Sequence, residues 1–355
     1  RHSFPTRRSS DLTMSTNHSL FFASLALSAL CQVGCGGITS TSTSDNDQKQ
    51  LVPEQCSSSL TTLHRSMNGR QLQSLTMPAG TVSQITKNCN QVANLHLEGS
   101  TLVGTWNGQP MRGADFVGTT VVQVDPNGAM LFAVISDVQV DTSDPTKETL
   151  LYSLQSLNPI DGSITEVCAP DAEGKRFAIP VPGSWDKTGA HQRNASAITF
   201  GCTSAAIGKC VRLGYRPWAK VNGVSLEGHH QACTRMIRFD YCGDGVSHTA
   251  DGTEIDVYDS LKINTRDALL LSPFDAAWSE DGAYCVERQR WIRLSTVDGL
   301  TLQALLPTAC LNKFELTLAE TSPIDPLDLC TVRSKTISRS AVLLDNRSGV
   351  NISLQ

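Results

Sequence analysis

The stretch RMIRFDYCGDGVSHTADGTEIDVYD, Arg235–Asp259, carries the clearest structural signals in the chain. Apolar residues recur at helical spacing as far as Tyr241, and Gly243 stands where the C-terminal cap of a helix belongs. Asp-Gly pairs at 244–245 and 251–252 are turn signals, and the segment TEIDVYD that follows alternates as a strand does. The stretch therefore predicts a helix, two turns and a strand in immediate succession.

Polar side chains crowd the same stretch and make it the candidate reactive site. The candidate catalytic residues are His248, Asp240 and Asp251. Oxygen ligands for a divalent cation could come from Asp240, Asp244, Asp251, Glu254 and Asp256. Turn chemistry is the simpler interpretation, because an Asp before a Gly bonds nearby backbone while the Gly takes a positive φ. No GxSxG or HExxH motif supports a hydrolase, and the spacing of the acids does not fit an EF-hand. We therefore assign no confident catalytic residue, expect no cofactor and leave a metal ion unknown.

The cysteines predict a disulfide framework. Ten of them follow Cys35, an even number that is typical of exported, disulfide-bonded chains. They are Cys56, Cys89, Cys168, Cys202, Cys210, Cys233, Cys242, Cys285, Cys310 and Cys330. Cys233 and Cys242 would lie about 13 Å apart on one helix, too far to bond each other, so each is expected to reach a different segment. The remaining pairing stays open.

The segments ACTRMIRFDYCGDGVSHTADGTEIDVYD, GKCVRLGYRPW and FDAAWSEDGAYC together resemble the ADYC domain family of exported bacterial proteins, which are frequent in myxobacteria. The resemblance covers about residues 170–330, and Phe239 replaces the Ala of the name motif while Asp240, Tyr241 and Cys242 agree. Because the family has no assigned activity, the resemblance implies a compartment and an architecture but transfers no catalytic residue.

The N-terminal segments indicate export. Residues 1–12 read as the translation of a sequencing adapter and are set aside. Residues 13–35 are expected to be a signal peptide, because the apolar run Leu20–Leu30 is long enough for its core but too short to span a bilayer. Gly34 before Cys35 resembles a lipobox, which predicts acylation of Cys35; simple secretion is the alternative. Residues 36–55 are polar and are expected to form a flexible tether.

The rest of the chain predicts an α+β fold, predominantly antiparallel β with a few short helices and a disulfide-stapled C-terminal half. Residues 56–170 form a β-rich N-terminal region with a hairpin turn at 125–128, and residues 171–330 form the ADYC-like domain. Residues 331–355 show no clear signal and are set apart as a C-terminal tail. Tyr215, Pro217, Trp218 and the region of Trp278 could form a binding patch for glycans or peptides, but packing beside disulfides is the preferred interpretation.

Composition limits the function. The formal net charge is −5 and charged residues make up 18% of the chain, which does not indicate a nucleic-acid partner. We expect an outer-membrane or cell-surface lipoprotein, or a secreted protein, that contacts the membrane through a lipid anchor only. Its expected function is a non-enzymatic binding or structural module for an unknown envelope or extracellular partner. The alternative is a hydrolase-like or metal-binding protein centred on His248 and the acidic loop.

Overall fold

The computed structural model describes residues 66–67, 74–78, 85–87, 90–124, 130–157, 163–194, 197–249, 252–267, 272–288, 291–297, 300–304, 310, 312–348 and 351–354. Several predicted features lie outside these residues. They are the signal peptide with Cys35, the tether, Cys56, Cys89, the turn at 125–128 and Asp251.

Strands dominate the described part of the chain. Its first half contains β1 (Ser66–Met67), β2 (Ser74–Pro78), β3 (Ile85–Lys87), β4 (Asn90–Gln91), β5 (Ala93–Glu98), β6 (Thr101–Trp106), β7 (Gln109–Arg112), β8 (Thr120–Val124), β9 (Met130–Val140), β10 (Leu150–Leu157), β11 (Ile164–Glu166), β12 (Ala178–Pro182), β13 (Ser184–Trp185), β14 (His191–Gln192) and β15 (Ala197–Cys202). A 3-10 helix, Gly113–Phe116, lies between β7 and β8.

The second half contains the two α-helices of the described residues. Its elements are α1 (Ala206–Arg212), β16 (Lys220–Val221), β17 (Val224–Ser225), α2 (Glu227–Arg238), β18 (Thr253–Asp259), β19 (Phe274–Ser279), β20 (Gly282–Val286), β21 (Trp291–Val297), β22 (Leu300–Ala304), β23 (Phe314–Thr321), β24 (Leu329–Ser334), a 3-10 helix (Arg339–Ala341), β25 (Leu344–Ser348) and β26 (Asn351–Leu354). Nearly all strand pairs are antiparallel, which confirms the predicted fold class.

Two large sheets organise the described part of the chain. One has nine strands: β2-β15-β12-β10-β9-β8-β3-β4 in order, with β11 beside β10. The other has seven strands in the order β1-β18-β25-β19-β20-β24-β23. The first sheet contains strands from both sides of residue 170, the predicted boundary between the N-terminal region and the ADYC-like domain. Within residues 331–355, set apart as a tail, β25 is an interior strand of the second sheet, between β18 and β19.

Each large sheet has its own apolar core. In the nine-stranded sheet Tyr152 and Phe200 pack edge to face with their ring centroids 5.8 Å apart. Helix α2 packs on β19, β20 and β25 of the seven-stranded sheet, and α1 packs on α2. The small side chains of Ala276 and Ala283 and the fully buried indole of Trp278 belong to the same core as the apolar residues of the helix. The C-terminal end of α2 is thereby fixed over the sheet.

Disulfides join the elements of both cores. The pairs are Cys168–Cys202, Cys210–Cys233, Cys242–Cys310 and Cys285–Cys330, with Cα–Cα distances of 5.4, 5.8, 5.5 and 5.9 Å. Three of them lie in the C-terminal half, which is disulfide-stapled as predicted. Cys233 and Cys242 reach different segments, as their separation along the chain requires. Such a set of bonds indicates an oxidising, extracytoplasmic environment. Among the described residues, no helix combines the length and the apolar character needed to cross a bilayer.

Candidate functional site

The C-terminal end of α2 shapes the candidate site. The helix ends at Arg238, and Phe239 takes the left-handed conformation at φ 53° and ψ 42°, donating its N–H to the carbonyls of Arg235 and Met236. The predicted extension of the helix to a cap at Gly243 is therefore wrong. A positive φ is unfavourable for phenylalanine. Burial of the Phe239 ring, 5.4 Å from the ring of Trp278, offsets this conformational cost.

Asp240 is the centre of the turn that follows. Its carboxylate is fully buried and accepts hydrogen bonds from the backbone N–H groups of Asp244 and Gly245, each at 3.0 Å. Arg235 donates a charge-assisted hydrogen bond to the same carboxylate, and Arg238 lies 3.9 Å away. Burial raises the pKa of Asp240, and Arg235 opposes that rise. The arrangement uses the carboxylate as a structural acceptor that holds the turn against the helix.

Arg235 extends this network to two neighbouring hairpins. Its Nε donates to the carbonyl of Glu280 at 3.2 Å, in the turn between β19 and β20. Its Nη1 donates to the carbonyl of Thr188, in the turn between β13 and β14. One buried side chain therefore positions the helix end, the Asp240 turn and both hairpins.

The other predicted site residues do not join Asp240 at one point. His248 is half-buried, donates its backbone N–H to the carbonyl of Arg238 at 3.0 Å and has its ring 5.8 Å from that of Tyr241. Asp244 is exposed and accepts the N–H of Val246 at 3.0 Å, which is turn chemistry.

The acidic residues after His248 lie in other parts of the fold. Glu254 is exposed on β18, while Asp256 is buried and accepts the N–H of Asp267 at 3.1 Å. Asp251 lies outside the described residues. Among the described residues no three His, Cys, Asp or Glu side chains are grouped so that they could hold a metal ion.

The histidines of α2 are packing residues in this fold. His230 is fully buried with its Nε2 3.1 Å from the carbonyl oxygen of Ile207, and burial lowers its pKa to about 3. Burial also lowers the pKa of His229, whose ring lies 6.2 Å from that of Tyr215. Both rings are therefore neutral at physiological pH.

The aromatic residues weighed as a binding patch mostly belong to the core. Tyr215 is fully buried and donates its hydroxyl to Asp259 at 2.9 Å. Trp278 is fully buried and donates Nε1 to Asn346 at 2.7 Å. They share one core with the cysteines of α1, α2 and the Asp240 turn, which confirms the packing interpretation. Trp218 is half-buried and packs against a small apolar cluster that includes Ile207 and Val211.

A cleft of about 410 Å³ opens beside the Asp240 turn. Its walls are formed by the turn and by the β13–β14, β19–β20 and β23–β24 hairpins. The lining residues are Thr188, Ala190, Arg235, Tyr241, Cys242, Gly243, Asp281, Ala283, Lys313, Phe314, Ser334, Thr336 and Ile337. Gly243 is required here, because a Cβ at its φ of 62° would collide with the carbonyl oxygen of Asp281. The volume lies within the range of small-molecule sites.

The cleft presents charge at its rim and aromatic surface deeper in. Asp281 and Lys313 are exposed and carry opposite charges, and Lys313 donates to the carbonyl of Cys242 at 2.8 Å. The buried rings of Tyr241 and Phe314 line the same space. Sequence reasoning did not single out the β23–β24 side of the cleft. The alternation of FELTL at 314–318 is a strand signal, but nothing local places that strand against the Asp240 turn.

A second polar cluster lies under the loop 322–328 of the same hairpin. Asp328 is buried and accepts hydrogen bonds from Tyr258 and Arg347 of the neighbouring strands. Asp345 of β25 is also fully buried and accepts one from Ser322, while its Oδ1 has no hydrogen-bond partner among the residues that the structure describes. Burial raises the pKa of Asp345 to about 7. The cluster fastens the loop to interior strands of the sheet.

A family model, the ADYC domain, matches residues 113–292. The chain belongs to the ADYC domain family. The match begins in the N-terminal region and covers both described helices, the Asp240 turn and the β19–β20 hairpin. The β23–β24 side of the cleft and the interior strand β25 lie beyond the matched residues of this ADYC domain protein. Comparisons with curated proteins and with solved structures find no match.

Proposed function

We propose that this ADYC domain protein is an exported, lipid-anchored protein of the cell envelope and acts as a non-enzymatic binding module. Its lipid would be carried by Cys35, and the polar residues 36–55 would hold the folded part away from the membrane surface. The observation that carries the binding role is the cleft beside the Asp240 turn. The four disulfides are consistent with such a location outside the cytoplasm.

The geometry favours binding over catalysis at this end of the molecule. The polar atoms of Asp240 and Arg235 form hydrogen bonds with each other and with backbone groups, so the two side chains form a rigid frame rather than a reactive pair. A frame held by a buried ion pair and by the Cys242–Cys310 disulfide keeps the cleft walls in fixed positions. Preorganised walls lower the entropic cost of binding a small ligand.

The lining of the cleft indicates the ligand class. Lys313 and Asp281 place one positive and one negative charge at the rim, and Tyr241 and Phe314 offer apolar contact. A ligand with both charges and a small apolar side chain complements these walls. We propose a zwitterionic, peptide-like ligand such as the end of a short envelope peptide.

The test uses four probes on the full chain produced in an oxidising compartment. They are dialanine with both termini charged, its N-acetyl form, its amide form and N-acetylglucosamine, each followed by saturation-transfer NMR. Dialanine should bind most tightly, and removal of either terminal charge should weaken binding by at least about tenfold, since a hydrogen bond to a charged group contributes about 1.5–3 kcal/mol.

Two variants assign that binding to the cleft. Thr336→Trp should abolish it, because an indole at this exposed position on the rim fills the opening. Ile164→Trp is the matched control, since Ile164 is exposed on β11 of the other large sheet. Failure of all four probes to bind, or equal binding by the Thr336→Trp protein, would count against the cleft as the ligand site.

A further inference from the structure

The β23–β24 hairpin exposes a set of leucines that the cleft does not use. Leu316 is 83% exposed, Leu318 91%, Leu327 77% and Leu329 49%. Single exposed leucines are ordinary, but four within 14 residues make the outer edge of this hairpin an apolar surface on both of its faces. Leu316 lies opposite Val332, and Leu329, three residues from Val332 along β24, projects from the other face. We propose that this leucine surface, defined by these four residues, docks on a bilayer that contains anionic phospholipid.

The backbone of the hairpin makes the leucines protrude. β23 is the last strand of the seven-stranded sheet, and its pairing with β24 shifts register between Leu316 and Glu320. A bulge of this kind bends an edge strand and discourages the regular pairing of another strand beside it. Side chains rather than a backbone ladder are therefore what this edge presents, and aliphatic side chains suit the boundary between lipid head groups and acyl chains.

The charges around the leucine surface suit anionic head groups. The carboxylate of Glu320 forms ion pairs with two arginines, Arg333 and Arg339, so its charge is more than compensated. Lys313 and Lys335 stand together at the base of the hairpin, where the N–H of Lys335 donates to the carbonyl of Lys313 at 2.9 Å.

Neither lysine has a carboxylate partner in the described part of the chain. Their ammonium groups donate to backbone carbonyls, those of Cys242 and Asn312. Two exposed carboxylates lie in this region: Glu315 on β23, whose partner across the ladder is Arg333, and Asp281 on the rim of the cleft that Lys313 also lines. Lysines beside exposed leucines combine electrostatic attraction with shallow insertion, which is how peripheral surfaces bind anionic membranes.

The length of the chain before the fold permits this contact. Thirty residues, 36–65, separate Cys35 from the start of β1, and they can span at most about 100 Å. β1 and β23 occupy opposite edges of the seven-stranded sheet, six strand spacings or about 29 Å apart. The hairpin edge can thus reach the membrane that holds the proposed anchor, and tethering would raise its local concentration there. The part of the inference that concerns tethering rests on the proposed function, because it requires the lipid anchor. The leucine surface does not depend on that anchor.

The experiment separates the leucine surface from the anchor. The full chain with Cys35→Ala, which cannot be acylated at that position, is floated with vesicles of phosphatidylethanolamine and phosphatidylglycerol in a 3:1 ratio and with vesicles of phosphatidylcholine alone. We expect binding to the anionic vesicles that weakens in high salt, because exposed charges are screened. The double variant Leu316→Ser and Leu318→Ser should bind at least about tenfold more weakly, given the apolar area that it removes.

A matched control and two further outcomes make the test decisive. Ile164→Ser removes a 62% exposed isoleucine from β11 and should leave binding unchanged. The proposal is overturned if the Cys35→Ala chain ignores both kinds of vesicle or if the double variant binds as well as its parent. It is also overturned if light scattering shows a dimer that the double variant dissolves, because the leucines would then pack against a second copy. A failure of acylation at Cys35 would refute the anchor alone.

Discussion

Trp278 on β19 donates a hydrogen bond of 2.7 Å to the side-chain oxygen of Asn346 on β25, and both residues are fully buried. The two lie 68 residues apart in the chain. The amide nitrogen of Asn346 in turn donates to Asp275 at 2.9 Å. One side chain near the C-terminal end therefore satisfies two polar groups in the core beneath α2.

Replacing Asn346 by alanine should destabilise the protein by about 2–3 kcal/mol, because the Trp278 N–H and an Asp275 oxygen would each lose a buried partner. Urea unfolding followed by tryptophan fluorescence measures the change. Ser340→Ala, an exposed position in the 3-10 helix before β25, is the control and should change the free energy of unfolding by less than about 0.5 kcal/mol. Equal stability of the Asn346→Ala protein and its parent would contradict the two buried hydrogen bonds assigned to Asn346.

Replacing Asp240 by asparagine should destabilise the fold by about 3–5 kcal/mol, since Arg235 would keep its charge in a buried site without a counter-charge. The measurement is the free energy of unfolding in urea. Asp244→Asn is the matched control, because Asp244 is exposed in the same turn and asparagine can still accept the N–H of Val246. A loss below about 1 kcal/mol for Asp240→Asn would contradict the structural role given to this carboxylate.

Asp345 should make stability depend on pH. Its pKa is about 7 in the fold against an ordinary value of 3.8, so between those pH values the folded chain keeps a proton that the unfolded chain releases. The stabilisation that Asp345 contributes is therefore fully present below about pH 4. It decreases as the pH rises towards 7, by up to about 1.4 kcal/mol per pH unit.

The comparison that isolates this effect is Asp345→Asn against the parent. The variant should lack this part of the pH dependence and be relatively more stable above pH 7, as read from urea unfolding at pH 4.5, 6 and 8. Parallel curves for the two proteins across this range would rule out a buried, protonated Asp345.

The cysteines should be fully oxidised. In the full chain made in an oxidising compartment and denatured without reductant, we expect no thiol among the ten cysteines after Cys35 to react with an alkylating reagent. Removing the Cys210–Cys233 bond by two serine substitutions should cost about 3 kcal/mol, as expected for its sequence separation of 23. One reproducibly reactive thiol in the parent would argue against a complete disulfide framework and favour a reactive cysteine.

The lipid anchor is tested by metabolic labelling with an alkyne fatty acid in a bacterial host. The chain from Met14 onwards should be labelled, and Cys35→Ala should abolish the label because Cys35 is the cysteine that follows the small residue of the lipobox-like motif, Gly34, whereas Cys31 follows Leu30. Cys31→Ala is the control and should keep the label. Absence of label on the parent would leave simple secretion as the route of export.

Much of the candidate site could be foreseen from local signals. The Asp-Gly pair at 244–245 predicted a turn, and in the structure Asp240 accepts the N–H groups of both residues. The spacing of Cys233 and Cys242 excluded a bond between them, and each indeed pairs elsewhere. The end of the helix could not be foreseen, because a left-handed phenylalanine is disfavoured locally and is stabilised here by burial against Trp278.

By itself, the sequence determined what depends on near neighbours: the β-rich class, the turns, the separate pairing of Cys233 and Cys242, and the motif residues that carry the family resemblance. Only the tertiary structure decided that Asp240 is a buried acceptor, that the β23–β24 hairpin walls the cleft and that β25 completes the sheet. The partners of β25 on β18 begin with Ile255 opposite Ser348, 93 positions away. Hydrogen bonds between strands so far apart in the chain produce no pattern in the local sequence. The position of a strand in a sheet depends on the partner strands that it contacts in the folded protein.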